Sequence, residues 1–95
     1  MRPRRLTNLD RIFFREITAT PPPFRLRAGR HTVVVTATDW TEASATLRQV
    51  AADGSRSAAR EFTADGYAVL DLAAGEYELV VSGPTRFFAS LNRLM

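Results

Sequence analysis

The side chains able to do chemistry are few in this 95-residue chain, and they are widely separated. His31 is the single histidine, and the chain contains neither cysteine nor lysine. A zinc site or a catalytic triad would require partners for His31 at matched positions, and Schiff-base chemistry requires a lysine. We therefore interpret His31, which follows the turn Ala28-Gly29, as a surface residue at the end of a strand.

The acidic residues are accounted for by turns and by strand faces. Asp53 and Asp65 each precede a glycine, a pairing that favours tight turns. Glu76 and Glu78 share one face of a predicted strand, where arginines can oppose them. The chain has no Asp-x-Asp-x-Asp calcium loop and no glycine-rich phosphate loop. The sequence thus predicts a protein that is not an enzyme and has no metal and no cofactor.

The elements that would position these residues are strands. From Phe24 onward, turn residues recur at short intervals and separate runs rich in Val, Thr, Tyr, Leu and Phe. Apolar and polar residues alternate in Tyr67–Leu72, Glu76–Ser82 and Thr85–Arg93, as expected for strands with one buried face. The sequence predicts an all-β fold: a single small antiparallel β-sandwich of about seven strands, immunoglobulin-like or jelly-roll-like.

Three further segments refine this prediction. Thr32–Thr38 is almost continuously β-branched, which is typical of a strand covered on both faces. Strict alternation fails between Ala45 and Val50, so a bulge is expected near Gln49. Ser57–Thr63 is mostly polar and is expected to lie at a sheet edge.

The segment that ends at Pro21-Pro22-Pro23 differs in composition from the rest. Residues 1–23 contain five arginines and two acidic residues, whereas residues 24–95 contain eight of each, so the net charge of +3 lies in the first segment. The sequence predicts a basic arm over 1–23, ending in a proline linker, and a β-sandwich domain over 24–95. The apolar spacing of the arm indicates a short helix, and a strand over Ile12–Ile17 is the alternative because Ile-Phe-Phe favours strands.

The predicted arm contains apolar and cationic side chains that would be exposed if the arm were an isolated tail. An uncovered apolar stripe would promote aggregation, so we expect a partner to cover it while arginines pair with acidic groups. The predicted partner-binding residues are Arg2, Arg4, Arg5, Leu9, Arg11, Ile12, Phe13, Arg15 and Ile17. Trp40, the single tryptophan, is a candidate ligand or interface anchor, and the alternative is an aromatic ring folded over one end of the sandwich.

Neither a membrane nor an exported destination is expected. No run approaches the roughly 20 apolar residues of a membrane span, and charged residues interrupt Leu6–Ile17, so no export signal is indicated. Arg2-Pro3-Arg4-Arg5 could contact phosphates, but the cluster is small, and a nucleic-acid partner is the less favoured alternative.

Several motifs follow one another in a characteristic order. They are Val33-Val34-Val35, Asp39-Trp40, the strand from Leu47 to Asp53-Gly54, Phe62-Thr63-Ala64-Asp65-Gly66, Leu72-Ala73-Ala74-Gly75-Glu76-Tyr77 and Ala89-Ser90-Leu91-Asn92-Arg93. In this order the stretch from Phe24 to Leu94 resembles small virion proteins of tailed bacteriophages, of the head decoration or fibre-like β-sandwich kind.

The resemblance implies a non-enzymatic structural component of a phage particle. Such a protein would be made in the bacterial host cytoplasm, would reside in the virion and would form a homo-oligomer. From the composition of the arm, we further predict that the protein attaches to the capsid, or to other virion proteins, through residues 1–23. The alternatives are a carbohydrate- or receptor-binding module of a virion fibre, acting through the loop around Trp40, and a nucleic-acid-binding accessory protein.

Overall fold

Strands make up most of the chain that the structure describes. The computed structural model describes residues 8–94, which contain nine strands and no helix. The strands are β1 (Asn8–Leu9), β2 (Arg11–Ile17), β3 (Phe24–Leu26), β4 (Gly29–Ala37), β5 (Ser44–Val50), β6 (Arg56–Phe62), β7 (Gly66–Leu72), β8 (Gly75–Ser82) and β9 (Phe87–Arg93). Within residues 8–94 there is accordingly no helix with the length and apolar character to cross a membrane.

The strands form two sheets. One sheet has five strands in the order β1-β3-β8-β5-β6, and the other has four strands in the order β2-β9-β4-β7. All neighbouring strands are antiparallel except β1 and β3. The predicted all-β fold of mostly antiparallel strands is confirmed, and it is compatible with a β-sandwich. The sequence predicted about seven strands after residue 23, where the structure has β3 to β9, and β1 and β2 bring the number in the described residues to nine.

The inward faces of both sheets share one hydrophobic core. Its fully buried side chains come from both sheets: Leu26, Val33, Val35, Leu47, Tyr77, Leu79, Phe87 and Leu91. The alternation predicted for Tyr67–Leu72 is correct, since Ala68 and Leu72 are buried while Tyr67 is exposed. The Tyr77 hydroxyl donates a hydrogen bond to the Ala73 carbonyl at 2.7 Å, which satisfies the polar group of a buried ring.

The helix predicted for the first segment is wrong, and the alternative strand is present. Residues Arg11–Ile17 form β2, which pairs antiparallel with β9 at one edge of the four-stranded sheet. Ile12 and Phe14 face inward with strand spacing, and then the register shifts between Phe14 and Ile17, where Glu16 has a φ of 49°. This bulge returns Ile17 to the core side, so an apolar spacing that resembled a helical face belongs to a bulged strand.

The predicted boundary at residue 23 falls between strands of the same two sheets. Pro21, Pro22 and Pro23 connect β2 of the four-stranded sheet to β3 of the five-stranded sheet. Across this connection the rings of Phe14 and Phe24 pack with their centroids 5.6 Å apart. Residues 8–17 therefore do not form an arm outside the sheets.

Two local expectations need correction, and one is confirmed. His31 is not on the surface: it is in phase with Val33 and Val35 on β4, is fully buried, and its Nδ1 lies 3.1 Å from the Gly29 carbonyl oxygen. The bulge expected near Gln49 lies in the β5–β6 pair between Leu47 and Arg48, with its extra residue on β6. β6 is an edge strand, as predicted.

Candidate protein-docking surface

The outer face of the four-stranded sheet carries an unusual set of side chains. Because side chains alternate along a strand, each residue next to a core residue on these four strands points away from the core. We call this surface the apolar face. Its residues are Phe13, Thr32, Val34, Thr36, Tyr67, Val69, Phe88, Ser90 and Asn92.

Exposed apolar side chains concentrate on this face. The described part of the chain has five large hydrophobic residues that are exposed, and four of them belong to the apolar face. Phe13 is 65% exposed, Tyr67 66%, Val69 44% and Val34 36%. Single exposed apolar residues are normal on protein surfaces, but a contiguous group indicates a surface that contacts something.

Strand register places these residues in rows across the sheet. Phe13 pairs with Ser90, Ser90 with Val34, and Val34 with Tyr67, so one row runs across all four strands. Its two ends carry large aromatic rings, and its middle carries small side chains. Beside the middle is an open depression of about 560 Å³, lined by Phe13, Arg15, Val34, Thr36, Phe88 and Ser90.

Charges lie at the two sides of the apolar face and differ in sign. The β2 side has Arg11 and Arg15, both exposed. The β7 side has two acidic residues: Asp71, which is ion-paired to Arg30 at 3.2 Å, and Asp65, which directly precedes β7. The Asp65 carboxylate accepts a hydrogen bond from the Ala37 amide at 3.1 Å, so it lies level with the end of β4.

The outer face of the five-stranded sheet has the opposite character. At its centre Glu78 is 8% exposed and accepts hydrogen bonds from Arg48 Nη2 at 2.9 Å and Arg56 Nε at 2.7 Å. Burial raises the pKa of Glu78, but the hydrogen bonds and charges of Arg56 and Arg48 outweigh this effect and hold its pKa below its ordinary value. The charges at the centre of this face are thus paired within the chain, whereas the apolar face is left uncovered.

The predicted partner-binding residues fall into three groups. Arg2, Arg4 and Arg5 lie outside the described residues. Leu9, Ile12 and Ile17 are partly buried and pack against the core, so they do not form an exposed stripe. Arg11, Phe13 and Arg15 are exposed on or beside the apolar face. The structure therefore brings together only the outward half of the set that the sequence indicated.

Sequence reasoning missed the rest of the apolar face. Tyr67 and Val69 were correctly placed opposite Ala68, but alternation alone does not say whether the second side of a strand is covered. One available signal was the run around Val34, which was interpreted as a strand covered on both faces. In the structure β4 is covered only on its inner face, so the outer valine has no cover within the described chain.

Trp40 folds over one end of the core. Its ring packs edge-on against Phe87 with the centroids 5.6 Å apart. Its indole Nε1–H donates a hydrogen bond to Asp65 Oδ1 at 2.7 Å. The polar group of the ring is thus engaged within the chain, which favours the interpretation as a loop aromatic over that of a ligand anchor.

Replacing Trp40 with phenylalanine is expected to raise the pKa of Asp65 toward its ordinary value. The hydrogen bond from Trp40 is the main cause that lowers this pKa, followed by the bond from the Ala37 amide. An NMR titration of the Asp65 carboxyl in both proteins measures the change. An unchanged Asp65 pKa in Trp40→Phe would show that the indole does not hold the carboxylate.

The remaining acidic loop residues have local structural roles. Asp39 accepts a hydrogen bond from the Thr41 amide at 2.9 Å, and Asp53 accepts one from the Ser55 amide at 2.9 Å. The pKa of Asp39 is lowered by its bond to the backbone of Thr41, and the pKa of Asp53 by its bonds to Ser55. Among residues 8–94, no group of three or more acidic or histidine side chains is arranged to hold a metal ion.

Comparisons of the chain with protein-family models, with curated proteins and with solved structures give no significant match. The resemblance to phage virion proteins therefore stays a prediction based on the motifs quoted above.

Proposed function

We propose that this chain is a non-enzymatic structural component of a phage particle, which docks on virion protein through the apolar face. The observation that carries the proposal is the concentration of exposed large hydrophobic side chains on one sheet face. The original prediction placed attachment in residues 1–23. The docking surface proposed here keeps Arg11, Phe13 and Arg15 from that segment and adds residues of β4, β7 and β9.

The contrast between the two outer faces supports a docking role. Glu78 and its two arginines give the five-stranded sheet a surface whose charges are already paired. The four-stranded sheet has an apolar centre with polar and charged residues around it, which is the usual anatomy of a protein interface. The proposal includes the finer fold class, an immunoglobulin-like or jelly-roll-like sandwich, because successive strands almost always change sheet.

The chemistry-capable residues are engaged in structural contacts, which supports a role other than catalysis. His31 is enclosed in the core, Asp39 and Asp53 hold turns, and Glu78 is fixed by two arginines. None of these groups lines the depression on the apolar face.

Phe13→Asp is expected to weaken particle binding by about 30-fold or more, as removal of a central interface aromatic commonly does. Phe13 is 65% exposed and lies between Arg11 and Arg15, so an aspartate there is compatible with the folded chain. The measurement is co-sedimentation of purified protein with phage particles from the cells that carry the gene, over a range of protein concentrations.

The matched control is Ala58→Asp, which introduces the same charge at an exposed position of β6. The control is expected to bind particles like the unmodified chain. Equal binding by Phe13→Asp and Ala58→Asp would contradict docking through the apolar face. Absence of the chain from purified particles by mass spectrometry would contradict a virion role.

A further inference from the structure

We infer that the protein covering the apolar face is a second copy of this chain, packed face to face about a two-fold axis parallel to the strands. The inference rests on the proposed function of this face as a docking surface and names its partner. Homodimers most commonly have such two-fold symmetry, in which one surface must be complementary to itself. Two copies can stack with the two-fold axis parallel or perpendicular to the strands, and the apolar face meets that condition with the parallel axis.

Charge distinguishes the two ways of stacking the sheets. With the axis perpendicular to the strands and through the central row, β2 lies over the partner's β2, and Arg11 of one copy meets Arg15 of the other. Like charges in contact oppose this arrangement. With the axis parallel to the strands, β2 lies over β7 of the second copy. By the strand register, Arg15 then lies level with Asp65 of the second copy, and Arg11 lies level with Val69.

The same arrangement brings the aromatic rings of the two copies into contact at both ends of the central row. Because Phe13, Ser90, Val34 and Tyr67 form one row, rotation about a strand-parallel axis places Phe13 near Tyr67 of the second copy at both ends. Ser90 lies near Val34 of the second copy in the middle. Sheets that pack face to face in this way differ in strand direction by about 30°, which shifts these partners by less than one row.

The size of the face predicts the strength of the dimer. Four strands about 4.8 Å apart, with about six residues each at 3.3 Å, cover roughly 400 Å² per copy in projection. A stable interface of standard size buries about 800 Å² of accessible surface per partner. The apolar face is therefore at the lower end of specific interfaces, and we expect a reversible dimer with a dissociation constant in the micromolar range.

Sedimentation velocity of the full chain, from about 5 to 500 µM, tests the inference. We expect a concentration-dependent monomer–dimer equilibrium. Tyr67→Glu is expected to weaken the dimer by about 30-fold or more, because each dimer contains the substitution twice. Ala58→Glu, a charge at an exposed position on β6, is expected to leave the equilibrium unchanged.

A charge reversal tests the orientation of the two copies. Arg15→Glu is expected to weaken the dimer, since the glutamate of each copy then faces Asp65 of the opposite copy. With the axis perpendicular to the strands, the same glutamate would face Arg11 of the opposite copy and would strengthen the dimer. An Arg15→Glu variant that dimerises as well as the unmodified chain, or better, would overturn the two-fold arrangement.

The outcomes separate this inference from the proposed function. A chain that stays monomeric at 500 µM, or a dimer that Tyr67→Glu leaves intact, overturns the second copy as the occupant of this face. If such a chain still loses particle binding in Phe13→Asp, the docking function stands and the partner is another virion protein. A dimer that dissociates in Tyr67→Glu, from a chain that never binds particles, supports the inference and contradicts the virion role.

Discussion

Deletion of residues 1–20 is expected to abolish cooperative folding of the remaining chain. The deletion removes β1 and β2, which exposes the inner side of β9 and the backbone groups that paired with β2. Ile12, Phe14 and Ile17 pack on the core and are partly buried, so each contributes less than the roughly 1.5–3 kcal/mol of a fully buried side chain. The loss of these contacts, together with the backbone hydrogen bonds between β2 and β9, is a large fraction of the roughly 5–15 kcal/mol typical of a domain's stability.

Urea unfolding followed by circular dichroism measures this loss. The matched control is deletion of residues 1–7, which keeps both β1 and β2. Any loss of stability beyond that of the control belongs to the two strands. A chain lacking residues 1–20 that unfolds cooperatively at the same urea concentration as the control would show that residues 24–95 fold alone, as the original domain boundary implied.

The parts of the fold that the sequence predicted well are those with local signals. A period of two in Tyr67–Leu72 reports which residues share a face, because side chains of a strand alternate whatever it packs against. The polar character of Ser57–Thr63 correctly indicated an edge strand, since an edge buries less. These patterns depend on near neighbours in the chain, and they were visible without the fold.

The first segment was misinterpreted because its meaning depends on a distant strand. The spacing of Ile12, Phe13 and Ile17 matches a helical face, but on the strand Phe13 faces outward, and a bulge at Glu16 brings Ile17 to the inner side. Only β9, which is seventy or more residues further along the chain, decides between them, because its edge pairs with this segment. The prolines had a similar ambiguity, since a crossing between sheets and a linker between domains both require a short extended segment.

Only part of the apolar face could be predicted from the sequence, because the rest depends on which distant strands become neighbours. Arg11, Phe13 and Arg15 were selected for their composition, and they are exposed. Their association with Tyr67 and Val34 arises from the sheet order β2-β9-β4-β7, which no local pattern encodes. His31 was misplaced because a single histidine gives no alternation of its own, although its phase with Val33 and Val35 was a usable signal.

Glu78→Ala is expected to destabilise the fold by about 2–3 kcal/mol. The substitution leaves Arg48 and Arg56 without their shared carboxylate, and Arg48 Nε is already buried without a hydrogen-bond partner. Removing one member of a fully buried ion pair costs about 3–5 kcal/mol. The cost here is lower because the two arginine side chains remain 35% and 46% exposed and can turn to water.

Asp71→Asn is the matched control for this prediction. Asp71 pairs with Arg30 on the four-stranded sheet, where the two side chains are 77% and 63% exposed. Exposed pairs contribute less than about 1 kcal/mol. Urea titration at pH 7 compares the variants, and equal losses for Glu78→Ala and Asp71→Asn would contradict a special role for the partly enclosed carboxylate.

The dependence of stability on pH provides a separate test through Glu78→Gln. The folded-state pKa of Glu78 lies below its ordinary value of 4.5, so its ionised form is favoured by folding. This contribution is fully present above pH 4.5 and is lost as the pH falls through the lower folded-state pKa. Glutamine cannot titrate, so the free energy of unfolding of Glu78→Gln should fall less steeply between pH 5 and 3. Some slope should persist, because folding also lowers the pKa of Asp39, Asp53 and Asp65. Identical slopes in the two proteins would show that the arginines do not stabilise the Glu78 carboxylate.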